Sequence, residues 1–345
     1  MPTNVTPEYK KAEEAYRRAR EPAERLDCLR QMLSSIPKHK GTEHLQADIK
    51  SRIKELTEEL AGPKKGGKRG GPALSVRPEG AAQLALLGPP NSGKSTLHQR
   101  LTGSRAHGGP GPFITQFPEP GMFPWEDIAF QLLDMPSMSP DHSPPWIGGS
   151  LQSADAAWLV VDLSDPACVE QLQFIIDTLA QKKVVLTACW PGLAEKPASD
   201  PAGGEPGDPF RIELPTLLLA NKSDQASDPE ELLVLEELLG VNFPALRVSA
   251  RTGQGLGDLG LWSFRALGVL RVYTKAPGKE AARDKPFTVR RGDTVLDVAR
   301  LVHKDVADSF RFARMWGANV FDGQQVGADH PVSDGDLVEL HAGRS

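Results

Sequence analysis

The segment Gly88–Ser95 restricts what this chain can fold into more than any other part of the sequence. It consists of GPPNSGKS and fits the pattern G-x-x-x-x-G-K-[ST] at every fixed position. The apolar run Gln83–Leu87 predicts a strand before it, and Lys94–Leu101 predicts a helix after it. Glycines allow backbone N–H groups to surround a phosphate, and the start of a helix adds partial positive charge. We therefore expect a phosphate-binding loop between a strand and a helix, rather than a chance glycine-rich turn.

The part of the chain that follows alternates between short apolar runs and helical stretches. Strands are predicted at Ala129–Asp134, Ala156–Asp162, Lys183–Thr187, Thr216–Ala220 and Leu246–Ser249. Helices are predicted between them, among others at Glu170–Ala180 and Pro229–Leu239. This alternation is typical of an α/β fold with a doubly wound, mainly parallel sheet. Residues 190–214 are rich in Pro, Gly and Asp, which predicts an exposed insertion.

The N-terminal part is predicted to be helical over residues 7–60. Its apolar side chains recur every three or four residues in two stripes: Leu26, Leu29, Leu33 and Ile36, then Leu45, Ile49, Ile53, Leu56 and Leu60. With a turn at Pro37–Gly41, these stripes predict an antiparallel helical hairpin. The segment Pro63–Gly71 (PKKGGKRGG) cannot bury apolar surface and predicts a flexible linker.

Positive charge is concentrated at the N-terminal end. Residues 1–71 contain 16 Lys and Arg against 11 Asp and Glu, although the whole chain has a net charge of -5. An anionic partner such as RNA would suit this basic segment. A solvated helical face explains the same charges at least as well, so both interpretations stay open.

Composition excludes several classes of protein. No apolar run approaches the roughly 18 residues of a membrane-spanning helix, and we expect no membrane partner. The N-terminus has no apolar stretch after its charges and is not a secretory signal. The 3 cysteines, Cys28, Cys168 and Cys189, are predicted to be reduced thiols in a cytoplasmic protein.

A second motif, Asn221-Lys222-Ser223-Asp224, directly follows a predicted strand. It fits the N-K-x-D pattern of guanine recognition. The Asp224 carboxylate can accept hydrogen bonds from the guanine N1–H and exocyclic amine, whereas adenine offers neither donor there and would leave the carboxylate unpaired. Lys222 is expected to lie along the base. Ser249-Ala250 ends the last predicted strand, where a backbone N–H could meet the guanine O6 atom.

The residues that bind the phosphates and the metal are predicted from the same arrangement of motifs and strands. The candidate phosphate-binding residues are Gly88, Asn91, Ser92, Gly93, Lys94, Ser95 and Thr96. Lys94 is expected to reach the β- and γ-phosphates, and the Ser95 hydroxyl to bind Mg²⁺. Asp134 ends its strand where it could hold Mg²⁺ through water, and Thr115 lies in the loop Gly108–Gly121 and could close on the metal and the γ-phosphate. We expect Lys94, Thr115 and Asp134 to be the catalytic residues.

The motif around Asp134 departs from the usual pattern. GTPases normally have D-x-x-G here, whereas this chain has DMPS, with Ser137 in place of the glycine. Met138 follows where many GTPases keep a water-orienting glutamine. Three hypotheses result: a slow Mg²⁺-dependent GTPase, a GTP-binding scaffold without useful hydrolysis, and an interaction module with a vestigial phosphate loop. The intact Lys94, Ser95 and Asp224 argue against the third, and Asp224 argues against an ATPase.

The C-terminal part changes composition again. Phe287–Val289 predicts a strand, and Thr294 with Asp297 resembles a capping box that opens a helix. Further strands are predicted around Ala313–Trp316 and Leu337–Leu340. This pattern suggests a small α+β domain after about Leu270.

Taken in order, these motifs resemble the developmentally regulated GTP-binding proteins, the DRG branch of the Obg-related GTPases. The similar stretches are GTEHLQADIKSRIKELTEEL with PKKGG, GPPNSGKSTL, PFITQFPEPG, LRVYTKAPG and ARMWGANVFDGQQVGADH with DGDLVEL. The resemblance implies a P-loop GTPase domain and a C-terminal TGS domain of the β-grasp fold. The predicted domains are residues 1–71 (helical hairpin and linker), 72–268 (GTPase domain) and 269–345 (TGS domain). The helix–turn–helix insertion that this family carries in its GTPase domain is not visible here.

The resemblance also carries functional expectations. It implies GTP or GDP with Mg²⁺ as ligands, a slow GTPase activity, and a link to ribosomes and translation. It matches Thr115 to the family's Mg²⁺-sensing threonine. Relatives with asparagine at the Asn91 position can use K⁺ as a charge-stabilising ion, which makes K⁺ a hypothesis here. The TGS domain is expected to contact a protein or an RNA, and no DNA partner is expected.

Overall fold

The computed structural model describes residues 6–19, 22–37, 42–61, 76–104, 115–193, 208, 210–225, 230–279 and 285–343. The chain divides into two compact units, one of residues 1–77 with 199–212, the other of residues 78–198 with 213–345. The linker predicted at Pro63–Gly71 lies outside the described residues. The domain boundaries predicted at 71/72 and 268/269 stay predictions.

The first unit is built from three helices. They are α1 (Pro7–Arg18), α2 (Pro22–Ser35) and α3 (Glu43–Ala61). Their apolar faces meet in one core with Phe210, which includes Tyr9 and Tyr16 of α1, Leu29 and Met32 of α2 and Ile49 of α3. The two apolar stripes of the predicted hairpin lie on α2 and α3, and α1 is a further helix before them. A second helix boundary lies just before Pro22, and proline suits a first helical position because it has no N–H to lose there.

The second unit contains a seven-stranded sheet. Its strands are β1 (Gln83–Leu87), β2 (Glu119–Trp125), β3 (Ile128–Asp134), β4 (Ala156–Asp162), β5 (Val184–Thr187), β6 (Ile212–Asn221) and β7 (Ala245–Arg247). The order is β2-β3-β1-β4-β6-β5, and β7 also pairs with β6. β1 is parallel to β3 and β4, and β6 is parallel to β4 and β7, whereas β2 is antiparallel to β3. This is the doubly wound, mainly parallel sheet predicted from the sequence.

Helices connect these strands. They are α4 (Lys94–Thr102), α5 (Ile147–Ser150), α6 (Cys168–Gln181), α7 (Glu230–Leu239) and α8 (Asp258–Ala266). The central strands β1, β3 and β4 are almost wholly buried along their length, as expected for parallel strands covered on both faces. Phe130, Trp158 and Leu217 lie in the core of this sheet.

Two sequence predictions fail around this sheet. The loop predicted at Gly108–Gly121 is wrong at its C-terminal end, because β2 begins at Glu119. The two prolines of β2 are tolerated because β2 is an edge strand, where a missing N–H costs little. Residues 190–214 were predicted to form an exposed insertion, and this prediction is wrong at both ends of the segment. Trp190 is buried against Trp262, and Phe210 and Leu214 are also buried, whereas residues 194–207 and 209 lie outside the described residues.

The C-terminal part of the second unit forms a mixed five-stranded sheet. Its elements are β8 (Val269–Lys275), β9 (Phe287–Arg290), α9 (Val295–Val302), α10 (Lys304–Asp308), β10 (Phe310–Gly317), β11 (Val320–Val326) and β12 (Asp336–Ala342). The order is β11-β10-β12-β8-β9, with β12 parallel to β8 and the other pairs antiparallel. The capping box predicted at Thr294 and Asp297 is present at the start of α9.

Arg271 of β8 joins this sheet to the turn between β2 and β3. Its guanidinium donates to Glu126 at 2.5 Å, to Asp127 at 3.2 Å and to Asp334 at 2.9 Å. Tyr273 donates its hydroxyl to Asp127 at 2.5 Å. Burial tends to raise the pKa of Asp127, but the bonds from Tyr273 and Arg271 outweigh it and lower the pKa. The β2–β3 hairpin is therefore held at its turn by charged hydrogen bonds, which are among the stronger ones.

Candidate nucleotide-binding site

The predicted site residues lie along one edge of the seven-stranded sheet. Since β1, β3, β4, β6 and β7 run parallel, their carboxyl ends share this edge. The residues that follow these ends supply the phosphate loop, the predicted metal ligands and the predicted base-binding residues. Ligands of doubly wound folds bind at this edge, so the topology collects side chains that are far apart in sequence.

The phosphate loop requires glycine at two positions. Gly93 has a φ of 92°, and a Cβ there would lie 2.3 Å from Asn221 Nδ2. Gly88 has a φ of 152°, and a Cβ would lie 2.3 Å from the Val160 carbonyl oxygen. No other residue fits either position without moving the neighbouring chain.

The remaining loop residues differ in their surroundings. Ser92 is buried, and its hydroxyl donates to the Pro89 carbonyl at 3.0 Å, which closes the loop on itself. Asn91 is exposed and has a φ of 61°, a conformation that asparagine tolerates better than most residues. Thr96 is exposed on the first turn of α4.

The Lys94 ammonium group lies inside the loop and is saturated by acceptors. Its Nζ donates to the carbonyl oxygens of Gly88 at 3.1 Å and Pro89 at 2.9 Å, and to Ser137 Oγ at 2.9 Å. Lys94 is 4 % exposed. Burial lowers the pKa of Lys94 to about 8, although the nearby Asp134 carboxylate opposes this shift.

The three predicted metal ligands come together. Thr115 Oγ1 donates to Asp134 Oδ2 at 3.2 Å and lies 3.4 Å from Ser95 Oγ. Asp134 is 1 % exposed, and its Oδ1 has no hydrogen-bond partner among the described residues. A buried carboxylate oxygen without a partner is costly unless something occupies the site. Two hydroxyls and one carboxylate are the oxygen donors that Mg²⁺ prefers.

Asn221 connects the phosphate loop to the loop after β7. Its Nδ2 donates to the Ser92 carbonyl at 2.8 Å, and its Oδ1 accepts from the Ala250 N–H at 2.9 Å. Asn221 is 2 % exposed. The Ala250 N–H, which the sequence suggested for guanine O6, is thus bonded to Asn221 in this structure. The asparagine of NKSD therefore fixes the relative position of two ligand-facing loops.

Asp224 presents its carboxylate at the base-binding end. Oδ1 accepts the Ser249 hydroxyl at 2.5 Å, and Oδ2 accepts from the exposed guanidinium of Arg251. The Ser249 bond lowers the pKa of Asp224, and Arg251 adds to the effect. The carboxylate is therefore an ionised acceptor, as recognition of two guanine donors demands.

Lys222 is positioned by Asp162 at the end of β4. The two side chains form an ion pair of 2.6 Å, and Lys222 has a φ of 60°. Burial tends to raise the pKa of Asp162, but hydrogen bonds from Lys222 and Ser164 lower it. The ion pair directs the Lys222 ammonium group toward the end of β4.

Two family models match parts of the chain. The family model described as 50S ribosome-binding GTPase matches residues 83–189, and the model of the TGS domain matches residues 270–342. The chain contains a GTPase domain followed by a TGS domain.

Relatives cover nearly the whole chain. An uncharacterised GTP-binding protein of Halobacterium salinarum is 27% identical, covering 93% of this chain and 99% of that protein. The Developmentally-regulated GTP-binding protein 2 homolog of Dictyostelium discoideum is 23% identical, covering 92% and 98%. Ribosome-interacting GTPase 1 of Saccharomyces cerevisiae is 23% identical, with the same coverage of 92% and 98%. Among solved structures, a GTP-binding protein from Pyrococcus horikoshii has a TM-score of 0.49 and 19% identity over 75% of this chain and 99% of that one.

Sequence reasoning missed several residues of this candidate site. Arg100 of α4 donates to the carbonyl oxygens of Ala250 at 3.3 Å, Arg251 at 2.7 Å and Thr252 at 3.2 Å. It thereby holds the loop after β7 in place, and no motif marks it. Asp162 could have been found, because it ends a predicted strand at the ligand edge.

The segment Met135–Met138, here the switch segment, lies against the phosphate loop. The Met138 N–H donates to the Gly88 carbonyl at 3.3 Å, and Ser137 Oγ accepts from Lys94. Met138 is 1 % exposed. The side chain at the position of the usual glutamine therefore points into the protein interior.

Proposed function

We propose that this chain binds GTP or GDP together with Mg²⁺ at the carboxyl edge of its sheet and hydrolyses GTP slowly. One observation carries the proposal. Lys94 is buried in the phosphate loop, Thr115 contacts both Ser95 and Asp134, and Asp224 follows β6 at the same edge of the sheet. These groups suit the γ-phosphate, the metal and the base of a guanine nucleotide. Asn221 and Arg100 support the loops that carry these groups.

Mg²⁺ fits the donor set. Ser95, Thr115 and Asp134 would hold it, and the unpartnered Asp134 Oδ1 supplies a lone pair for a metal or its water. When bound, the ion neutralises charge on the β- and γ-phosphate oxygens. Thr115 and Asp134 already touch in this structure, so binding the ion would replace their mutual hydrogen bond with shared coordination.

Slow turnover follows from the switch segment. Fast hydrolysis needs a side chain that orients the attacking water, and Met138 is both apolar and buried. Lys94, Thr115 and Asp134 remain as the proposed catalytic residues, and they act on charge rather than on the water. K⁺ near Asn91 would add positive charge, as in relatives with asparagine at that position.

The buried, apolar Met138 also favours a second candidate function, a GTP-binding scaffold without useful hydrolysis. Steady-state GTP hydrolysis in K⁺ and in Na⁺ buffers, both with Mg²⁺, separates the two. We expect slow turnover that rises in K⁺ and loses this rise in Asn91→Ala. Bound GTP without turnover in either salt would establish the scaffold instead, and absence of GTP binding would refute both.

We further propose that the protein acts in the cytoplasm as a regulator linked to ribosomes or RNA, as the name of the yeast relative suggests. Among the described residues, no helix is both long and apolar enough to cross a membrane. The test replaces the basic residues of the linker 63–71 with glutamine and measures co-sedimentation with ribosomes. The matched control replaces Lys10 and Lys11, which are exposed on α1. Loss in the linker variant alone would support a direct contact, and equal binding by all three proteins would favour a solvated basic face.

A further inference from the structure

Ser137 occupies an unusual place beside Lys94. A lysine ammonium has three N–H donors, and all three are used here, by Gly88, Pro89 and Ser137. Two of these acceptors are backbone carbonyls of the phosphate loop itself. The third is a side chain, and it comes from the switch segment.

Phosphate oxygens that bind Lys94 would have to displace acceptors among these three. The carbonyl oxygens of Gly88 and Pro89 belong to the loop that surrounds the phosphates. The Ser137 hydroxyl comes from the segment that follows Asp134 at the end of β3, and it occupies a Lys94 donor that the γ-phosphate is expected to need. A glycine at this position, as in D-x-x-G, has no side-chain oxygen to offer.

The switch segment is fixed well enough for this contact to persist. The Met138 N–H donates to the same Gly88 carbonyl that accepts from Lys94, and the Met138 side chain is 1 % exposed. One backbone hydrogen bond and one buried apolar side chain, both at the next residue, therefore hold Ser137 near the ammonium group.

We infer that Ser137 is a specificity-determining residue whose hydroxyl competes with the γ-phosphate for Lys94 and so favours GDP over GTP. This inference rests on the proposed nucleotide site. With GDP bound, a β-phosphate oxygen would replace one of the two loop carbonyls, and Lys94 would keep Ser137 as its third acceptor. With GTP bound, the γ-phosphate takes the place of the hydroxyl, and the hydrogen bond to Ser137 is lost.

The test is the ratio of the affinities for GDP and for a non-hydrolysable GTP analogue with Mg²⁺, measured by calorimetry on the full chain. In Ser137→Ala we expect the ratio to move toward the triphosphate by about tenfold, the order of effect of one hydrogen bond to a charged group. Ser137→Thr keeps the hydroxyl and is expected to keep the ratio of the unmodified protein.

A matched control lies two residues further along. Ser139 Oγ is buried and has no hydrogen-bond partner among the described residues, so Ser139→Ala removes a hydroxyl without removing a contact to Lys94. An unchanged ratio in Ser137→Ala would overturn the inference. So would a ratio that moves toward GDP, because Ser137 would then be a ligand of the γ-phosphate rather than its competitor.

These outcomes are separate from those of the proposed function. If the unmodified protein binds neither nucleotide, the nucleotide site itself is refuted. If it binds both and only the response to Ser137→Ala is missing, the site stands and the role of Ser137 is refuted.

Discussion

Two parts of the candidate site differ in how closely they follow the known motifs and in what holds them in place. The cradle, which consists of Gly88–Ser95, Asn221–Asp224 and Ser249–Ala250, follows the known motifs at each position and is held by side chains from three loops. The switch segment departs from the motif at Ser137 and Met138, and it is held by a buried side chain and by contacts to the phosphate loop. The two parts meet at Lys94.

The cradle is suited to recognising the nucleotide, whereas the switch segment is suited to responding to its γ-phosphate. Groups that identify the nucleotide must be fixed before it arrives, because pre-organisation reduces the cost of binding. A segment that reports on the γ-phosphate must instead change its contacts when that phosphate is present. In this protein the switch segment is already bonded to Lys94 through Ser137. Lys94 is the residue that is expected to bind the γ-phosphate.

The largest effect is expected from Lys94→Ala. It removes the charged partner of the phosphates, and we expect guanine-nucleotide affinity to fall about a hundredfold or more, since loss of one member of a buried charged pair costs several kcal/mol. A titration with fluorescent GTP measures it. Gln99→Ala, at an exposed position of the same helix, is the control. Unchanged affinity in Lys94→Ala would show that the cradle is not the binding site.

A base-specific effect is expected from Asp224→Asn. The amide can accept only one of the two guanine hydrogen bonds and presents a donor in place of the other acceptor. We expect the preference for GTP over xanthosine triphosphate to fall by about a hundredfold, since sites that match a donor reject analogues lacking it by such factors. Competition between the two nucleotides measures this preference. A preserved preference would mean that another group reads the base.

Met138→Gln tests whether the switch segment can be returned to the usual pattern. Because Met138 is 1 % exposed, the amide would be buried, and we expect the free energy of unfolding to fall by about 1–3 kcal/mol with no gain in turnover. Met138→Leu keeps an apolar side chain and is the control. Denaturant unfolding and GTP turnover are the two measurements. Faster turnover at unchanged stability would show that the segment leaves its buried position when GTP binds.

A smaller effect is expected from pH. Burial lowers the pKa of Lys94 to about 8, and a bound phosphate favours the charged form, so binding is strongest below this pKa and weakens as the pH rises through it. We expect affinity to fall about fourfold between about pH 7 and 8.5, which follows from the fraction of charged lysine. Calorimetry across this range measures it. A flat profile would indicate that Lys94 stays charged in the free protein.

Much of the fold follows from the sequence because its signals are local. The strand before Gly88, the parallel strands and the capping box at Thr294 each depend on residues close together in the chain. β2 was missed because its prolines and glycine mask a strand whose partner lies beyond a turn. The helix α1 was not separated from α2 because the apolar stripes used for the prediction begin at Leu26.

The sequence predicted those residues of the candidate site that belong to known motifs. Contacts between loops were not, because pairs such as Arg100 with the carbonyl of Ala250 join residues that are 150 positions apart. The bond from Lys94 to Ser137 depends on how the switch segment turns after β3. Sequence alone marks Ser137 as a departure, and only the fold shows what the hydroxyl touches.

The hydrogen bonds of Arg271 have a consequence for the β2–β3 hairpin. The β2–β3 hairpin pairs Glu119 with Asp134 at the nucleotide edge and Trp125 with Ile128 at its turn. The hairpin is about 20 Å long, from a rise of about 3.3 Å per residue, with Asp134, the proposed metal ligand, at one end and the hydrogen bonds of Arg271 near the other. A displacement of the C-terminal sheet would therefore act on the same hairpin that carries Asp134.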